Sequence, residues 1–351
     1  MAAQPDVALP VVARGEMPAR ARLALGVVLC VLIAIAASLA GASAPLVGAP
    51  LFAIAFGVVV TNTLRGPLNV GSLRIGEISK TCLKGGIILL GGSLDLGQIF
   101  RTGAESLPLL GVTIAAGLIC SLWLGRMLGI DWRMRCLIGM GTTICGASAI
   151  AALAPVIRAK AEEIAYCVTV VFFFNMIAVF SFPALGHLLG LTDNGFGVWA
   201  GTAVNDTSAV VAAGFAFSHE AGTIATIVKL TRTTLIIPLV IGFGLAMPWF
   251  EAQPATGNVS LARRVYAALP TFILFFLLAS ALKTVGLTEP FSDNIQLLGR
   301  WVLVVALAAV GLQGHWRAFV GAGSKPLLLG FLTWIAVASS SLAMQAWSHA
   351  L

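Results

Sequence analysis

Long apolar stretches separated by short polar ones make up most of the chain. Apolar runs fall at about 24–42, 46–64, 80–94, 107–126, 164–189, 223–249, 266–283, 297–313 and 327–347. Most approach the ~20 residues that a helix rising 1.5 Å per residue needs to cross a bilayer. The ~10-residue alternation of an outer-membrane barrel is absent. Two further apolar stretches, 134–157 and 195–217, behave differently. The segments "GTTICGASAIAA" (141–152) and "GTAVNDTSAVVAAG" (201–214) split each into arms of about ten residues, too short to cross singly. The pattern predicts an all-α polytopic membrane protein with about 9–11 transmembrane helices and two interrupted or re-entrant segments. Residues 1–22 read as a cytoplasmic tail, and 23–351 as one transmembrane domain whose first helix is uncleaved.

Composition agrees with the pattern. The chain is 59% hydrophobic and 10% charged, against about 25% charged in soluble domains. Its net charge of +7 is scattered through short loops, which points to membrane orientation and not to nucleic acid. Charge also bears on the interrupted segments. If both are hairpins and the N-terminus is cytoplasmic, fifteen of the 21 Lys and Arg residues lie inside, three outside and three within spans. If both cross, Arg158 and Lys160 move outside and the split becomes 13 to 5. The positive-inside rule prefers hairpins.

Two internal offsets accompany this. At 60 residues, Gly141/Gly201, Thr142/Thr202, Ser148/Ser208, Ala149/Ala209 and Ala152/Ala212 coincide. At 220 residues, Pro50/Pro270, Phe56/Phe276, Gly91/Gly311 and Thr113/Thr333 coincide. Inverted repeats of secondary transporters produce such matches, here with halves at about 46–189 and 195–348.

The interrupted segments hold the candidate chemistry. Backbone that leaves the helix at membrane depth must be buried in protein or line a cavity. Gly141, Gly146 and Gly201 permit tight backbone, while Thr142, Thr143, Thr202, Ser148 and Ser208 are candidate ligand donors or caps. Half-helix N-termini suit an anion. Asn205 and Asp206 lie in the second break, and an ionisable residue there is a functional candidate. Asp206 can take a proton, coordinate Na⁺, neutralise a nearby cation, or cap the helix that starts near Thr207. Lys229 and Arg232, at i and i+3, share one helix face and call for an anion, unless they snorkel to the adjacent loop. Asn175, Cys145 and Lys84 are secondary candidates. The other cysteines read as small buried hydrophobes. Trp301, Trp316, Trp334 and Trp347 read as interfacial anchors. His187, His219, His315 and His349 form no ligand cluster, so no metal is expected, and no catalytic constellation or phosphate loop appears.

The series "GTTICGASAIAALAPVI" (141–157), "GTAVNDTSAVVAAG" (201–214) and "VKLTR" (228–232) resembles the YeiH-type sulfate exporter family of bacterial inner-membrane proteins, from about residue 24 to the C-terminus. The resemblance implies export of a small oxyanion or sulfonate. It also implies a distant likeness to transporters with paired interrupted helices, such as bile-acid/sodium symporters and sodium/proton antiporters. Where the family usually carries His before the Asp of its second motif, this chain has Asn205, which removes a titratable group.

The expected function is a secondary transporter, not an enzyme, for sulfate, sulfite or an organosulfonate. Substrate binding is expected at Thr142, Thr143, Gly146, Ser148, Thr202, Asn205, Ser208, Lys229 and Arg232, with Asp206 coupling transport to H⁺ or Na⁺. Asn175, Cys145, Gly141 and Gly201 would support the site. No cofactor is expected beyond the coupling ion. The expected partners are the anion, the lipid bilayer and, in a homodimer, a second copy of the chain. A cation/proton antiporter using Asp206 and a passive anion channel are the alternatives.

Overall fold

A computed structural model describes residues 18–43, 48–63, 73–246, 271–314 and 324–348. Residues 1–17 of the tail lie outside the described residues, as do His315, Trp316 and His349. Among the described residues all regular structure is helical. The chain runs α1 (Ala19–Ser43), α2 (Gly48–Thr63), α3 (Ile75–Gly91) and α4 (Leu96–Met127). The first interrupted segment follows: α5 (Trp132–Met140), a π-helical turn (Gly141–Cys145) and α6 (Ala147–Leu153). After α7 (Ala161–Leu188) comes the second: α8 (Asp193–Ala203) and α9 (Thr207–Phe217). The remainder is α10 (His219–Thr234), α11 (Ile236–Ala246), α12 (Thr271–Thr284), α13 (Ser292–Leu312) and α14 (Ser324–Trp347). Among the described residues, six helical stretches are long and apolar enough to span a membrane: α1, α4, α7, the α10–α11 pair, the stretch containing α13, and α14.

Helix boundaries follow the caps more closely than the hydropathy. α4 begins at Leu96, not near 107, because the Asp95 carboxylate accepts from the N–H groups of Gly97 and Gln98. Its first turns therefore carry Arg101 and Glu105 out of the apolar zone. Thr192 and Ser218 cap α8 and α10 in the same manner. The α10–α11 break at Leu235 lies three residues before Pro238, whose missing N–H ends the ladder.

Packing shows that both interrupted segments are hairpins. In the first, the Arg133 side chain at the start of α5 reaches the carbonyl of Ile157, beyond the end of α6 (3.1 Å). Entry and exit therefore share one end of the bundle. In the second, Phe196 near the start of α8 stacks on Phe217 at the end of α9, with centroids 4.0 Å apart. α7 joins the two bases. Near its start Cys167 approaches the carbonyl of Met134, and near its end His187 stacks on Phe217. This helix of 28 residues is about 42 Å long. The hairpins consequently enter from opposite ends and meet tip to tip. α10 then runs from the second base past both tips, and Gly244 in α11 ends beside Val156 at the first base.

The outer helices repeat one close contact. A side chain on Gly91 would collide with the backbone oxygen of Phe276, and one on Gly311 with that of Ile54. Only glycine lets α3 approach α12, and α13 approach α2, so closely. The two glycines are 220 residues apart, and Phe276 and Ile54 occupy the facing helices of the two contacts. α4 and α14 meet at Gly117 and Val337, again 220 apart.

Candidate functional site

The hairpin tips, α7 and α10 form one buried polar cluster. Lys229 and Arg232 are both 0% exposed, which excludes snorkelling. They project from the same face of α10 into the gap between the tips. The Lys229 ammonium donates to the carbonyls of Ile144 (2.6 Å), Val204 (3.2 Å) and Asn205. The Arg232 guanidinium donates to those of Ile144 (2.7 Å), Val204 (2.8 Å), Asn205 (3.4 Å) and Thr202. These carbonyls lie where the first arm of each hairpin ends, so they carry the negative end of a half-helix dipole. Burying an unpaired cation costs several kcal/mol, and a hydrogen bond to a charged group returns about 1.5–3 kcal/mol. Dense carbonyl ligation is therefore what keeps two charges at this depth. Among the described residues no carboxylate touches either cation.

Asp206 lies within the second tip, half-buried, as the N-cap of α9. Its Oδ2 accepts from the Ser208 N–H (2.9 Å) and from the Ser208 hydroxyl. The capping role is thus present, and among the described residues it leaves Oδ1 without a protein donor. Asn175 of α7 fixes the same tip, since its Oδ1 accepts from the N–H groups of both Asn205 and Asp206 (3.0 Å each). The structure thus places this secondary candidate against both residues of the second break. Asn205 is 1% exposed, and neither polar atom of its side-chain amide has a protein partner among the described residues. A buried amide left open on both its donor and acceptor sides is what a ligand would complete.

The first tip uses different means. Gly146 turns the chain at φ 64, ψ −130, where a Cβ is strained, and its Cα side faces the Cβ of Asp206. Cys145 is buried beside it. Ala147, Ser148 and Ala151 are exposed along one face of α6, as is Pro155 just beyond its end. The corresponding face of α9 is covered, with Ser208 and Val211 buried and Phe215 packed on Gly222.

Other expected site residues lie among local protein partners. The Thr143 hydroxyl donates to the Gly139 carbonyl, and its methyl faces Gly117 of α4. Thr202 is spent on the Val198 and Trp199 carbonyls and on Ser341 of α14. Thr142 is buried. Gly141 packs against Ile150 and Val171, and Gly201 against Val228 and Ala225. Lys84 is exposed on α3, away from the cluster.

Trp334 is not an interfacial anchor: it is 6% exposed, stacks on Phe182, and donates its indole N–H to the carbonyl of Ala203, the last residue of α8. Its place seven residues inside the apolar run 327–347 was the signal for this. Trp347 is exposed at the end of α14, whereas Trp301 is exposed midway along α13. Of the cysteines, Cys30, Cys136, Cys145 and Cys167 are buried and Cys82 and Cys120 half-buried. No group of three His, Cys, Asp or Glu able to hold a metal occurs among the described residues.

This architecture has clear relatives. The family model described as "Conserved hypothetical protein 698" matches residues 25–330. The chain belongs to that family. It is the YeiH-type family that the three motifs resemble. Similar proteins include the UPF0324 membrane protein of Streptococcus pyogenes serotype M18, 41% identical over 329 residues, which cover 91% of this chain and 96% of the relative. Those of Streptococcus agalactiae serotype V (40% over 331 residues; 92% and 96%) and Streptococcus mutans (38% over 328 residues; 91% and 96%) are comparable. The shared length spans both hairpins and α10, and the family is one of membrane proteins.

Proposed function

We propose that the chain is a secondary transporter of a small anion, such as sulfate, sulfite or an organosulfonate, and not an enzyme. It works as an exporter in the bacterial inner membrane, with transport coupled to H⁺ or Na⁺. One observation carries the reading. Two hairpins of opposite entry meet around two fully buried cations, with Asp206 as the nearby acid. The cluster thus holds a net positive charge at membrane depth, and an anion beside the tips offsets it. The open amide of Asn205 and the hydroxyl of Ser148 are the groups best disposed to receive that anion. Lys229 and Arg232 act mainly through their field and by holding the tips together, since their donors already have carbonyl partners.

The uncovered face of α6 and the covered face of α9 support a carrier open toward the first hairpin's base and closed toward the second. The Lys and Arg residues of the described chain support the orientation. Arg20, Arg22, Arg126, Arg133, Arg158 and Lys160 lie at the end of the first base, whereas Arg101, Lys283 and Arg300 lie at the other. Positive-inside sorting makes the first end, and with it the N-terminus, cytoplasmic.

The antiporter alternative needs Lys229 as the counter-ion of Asp206, a pair that the geometry does not supply. The test is a binding screen of sulfate, sulfite and methanesulfonate on the purified protein, followed by counterflow in proteoliposomes. Saturable binding with counterflow supports the carrier. Proton movement driven by cations, with no anion bound, supports the antiporter.

A further inference from the structure

Deepening that transporter reading, and resting on it, we propose that the Lys229 ammonium permanently occupies the place of a coupling Na⁺, so that this chain moves its anion without Na⁺. In carriers built on broken helices, coupling ions are held by carbonyls freed at half-helix C-terminal ends and unwound backbone. Here those carbonyls are Ile144 of the first tip and Val204 and Asn205 of the second. All three accept from the Lys229 ammonium, which has no exposure and, among the described residues, no carboxylate in contact. A monovalent cation held by neutral backbone oxygens from two converging tips is the arrangement that a bound Na⁺ would have. A tethered ammonium supplies it from within the chain.

Counting lone pairs gives the stronger argument. A carbonyl oxygen has two. The oxygens of Ile144, Val204 and Asn205 each accept once from Lys229 and once from Arg232. That saturates all three. A Na⁺ entering the cluster would have to displace one of two fully buried cations and would meet the repulsion of both. Lys229 thus holds the tips in the conformation that ion binding would otherwise induce.

Two measurements test this. In the first, wild-type protein and Lys229→Ala are melted in NaCl and in choline chloride. This readout needs no substrate, so it stands even if the anion reading fails. The wild-type midpoint should be the same in both salts. Lys229→Ala should melt lower in choline and recover saturably with Na⁺, which then fills the vacated carbonyls. In the second, counterflow of whichever of sulfate, sulfite or methanesulfonate binds is measured with all Na⁺ replaced by choline. Wild-type flux should stay within about twofold.

A wild-type flux that falls tenfold without Na⁺ would overturn the proposal. So would a saturable rise of the wild-type midpoint with Na⁺, or a folded Lys229→Ala indifferent to Na⁺. If the variant does not fold, the wild-type measurements decide alone. Absence of anion binding and flux in every salt would instead remove the transporter reading, with the melts still reporting on Lys229.

Discussion

The two hairpins share a plan and differ at the point where it matters. Each has a first arm that ends at membrane depth, a break, and a second arm that returns to its own side. The same two cations hold the carbonyls of both breaks. In the first, the break is a π turn followed by Gly146, with no acid and no side-chain cap, and the returning helix is uncovered along one face. In the second, the break is extended backbone over Val204–Asp206, held by Asn175 and capped by a carboxylate, and the returning helix is buried. Common backbone geometry with unlike side chains implies divided labour. The first hairpin lends access and a neutral surface, and the second lends the acid, the open amide and their fixed positions.

Removing what the hairpins share should have the largest effect. Arg232→Ala deletes four hydrogen bonds to the carbonyls of both tips. At about 1.5–3 kcal/mol for each bond to a charged group, even partial relaxation leaves a deficit on the order of 3 kcal/mol, or ~100-fold. Anion affinity measured by calorimetry should fall by at least that factor, with a lower melting temperature. An unchanged affinity would mean that the tips are held by something else.

Next comes the residue present in only one tip. Asp206→Asn keeps an acceptor for the Ser208 N–H, and Asn caps helices about as well as Asp, so the fold should survive. Equilibrium anion affinity should shift by less than about tenfold, because one carboxylate is lost beside cations that keep their carbonyls. Flux driven by a proton gradient in proteoliposomes should disappear while exchange of anion for anion persists. Loss of both would assign Asp206 to the binding of the anion and not to coupling.

A smaller effect separates the breaks by backbone alone. Gly146→Ala forces a side chain into φ 64, ψ −130, at about 1–3 kcal/mol. Asp206, the residue 60 positions on, sits at φ −91 and bears a side chain without strain. The melting temperature of Gly146→Ala should therefore drop, whereas Asp206→Ala should lose only its cap, at about 1 kcal/mol. Equal losses would argue that the first break relaxes freely.

Much of this comparison was legible in the residues themselves. Arms of ten residues and the sorting of Arg158 and Lys160 pointed to hairpins, and the i, i+3 spacing of Lys229 and Arg232 put them on one face. What those cations bind was not legible, because the partners of Lys229 are the carbonyls of Ile144, Val204 and Asn205, and backbone atoms have no letter. Thr143 and Thr202 looked like ligand donors by type, yet a helical hydroxyl has a carbonyl one turn back within reach, and that local bond won. Asn175 looked like an ordinary interhelical amide. Its importance depends on two N–H groups freed 30 residues away in a break whose shape no local rule specifies.

The least perturbing change tests whether the uncovered face of α6 is wet. Ser148 is exposed and its counterpart Ser208 is buried against Asp206. Ser148→Cys and Ser208→Cys are close in size to the native residues, and Ser148→Cys should leave stability within about 0.5 kcal/mol, as surface changes do. A charged, membrane-impermeant thiol reagent distinguishes an aqueous crevice from a lipid-facing surface, because only a hydrated thiol ionises and reacts quickly. Reagent added from the cytoplasmic side should label Ser148→Cys faster than wild type, in which Cys82 and Cys120 set the background. Ser208→Cys should stay at that background, and added anion should slow labelling at 148 if the substrate lodges beside the first tip. A Ser148→Cys that resists the charged reagent but reacts with a membrane-soluble maleimide would place α6 against lipid. The difference between the hairpins would then lie in which one borders the bilayer, and access would have to come from the second.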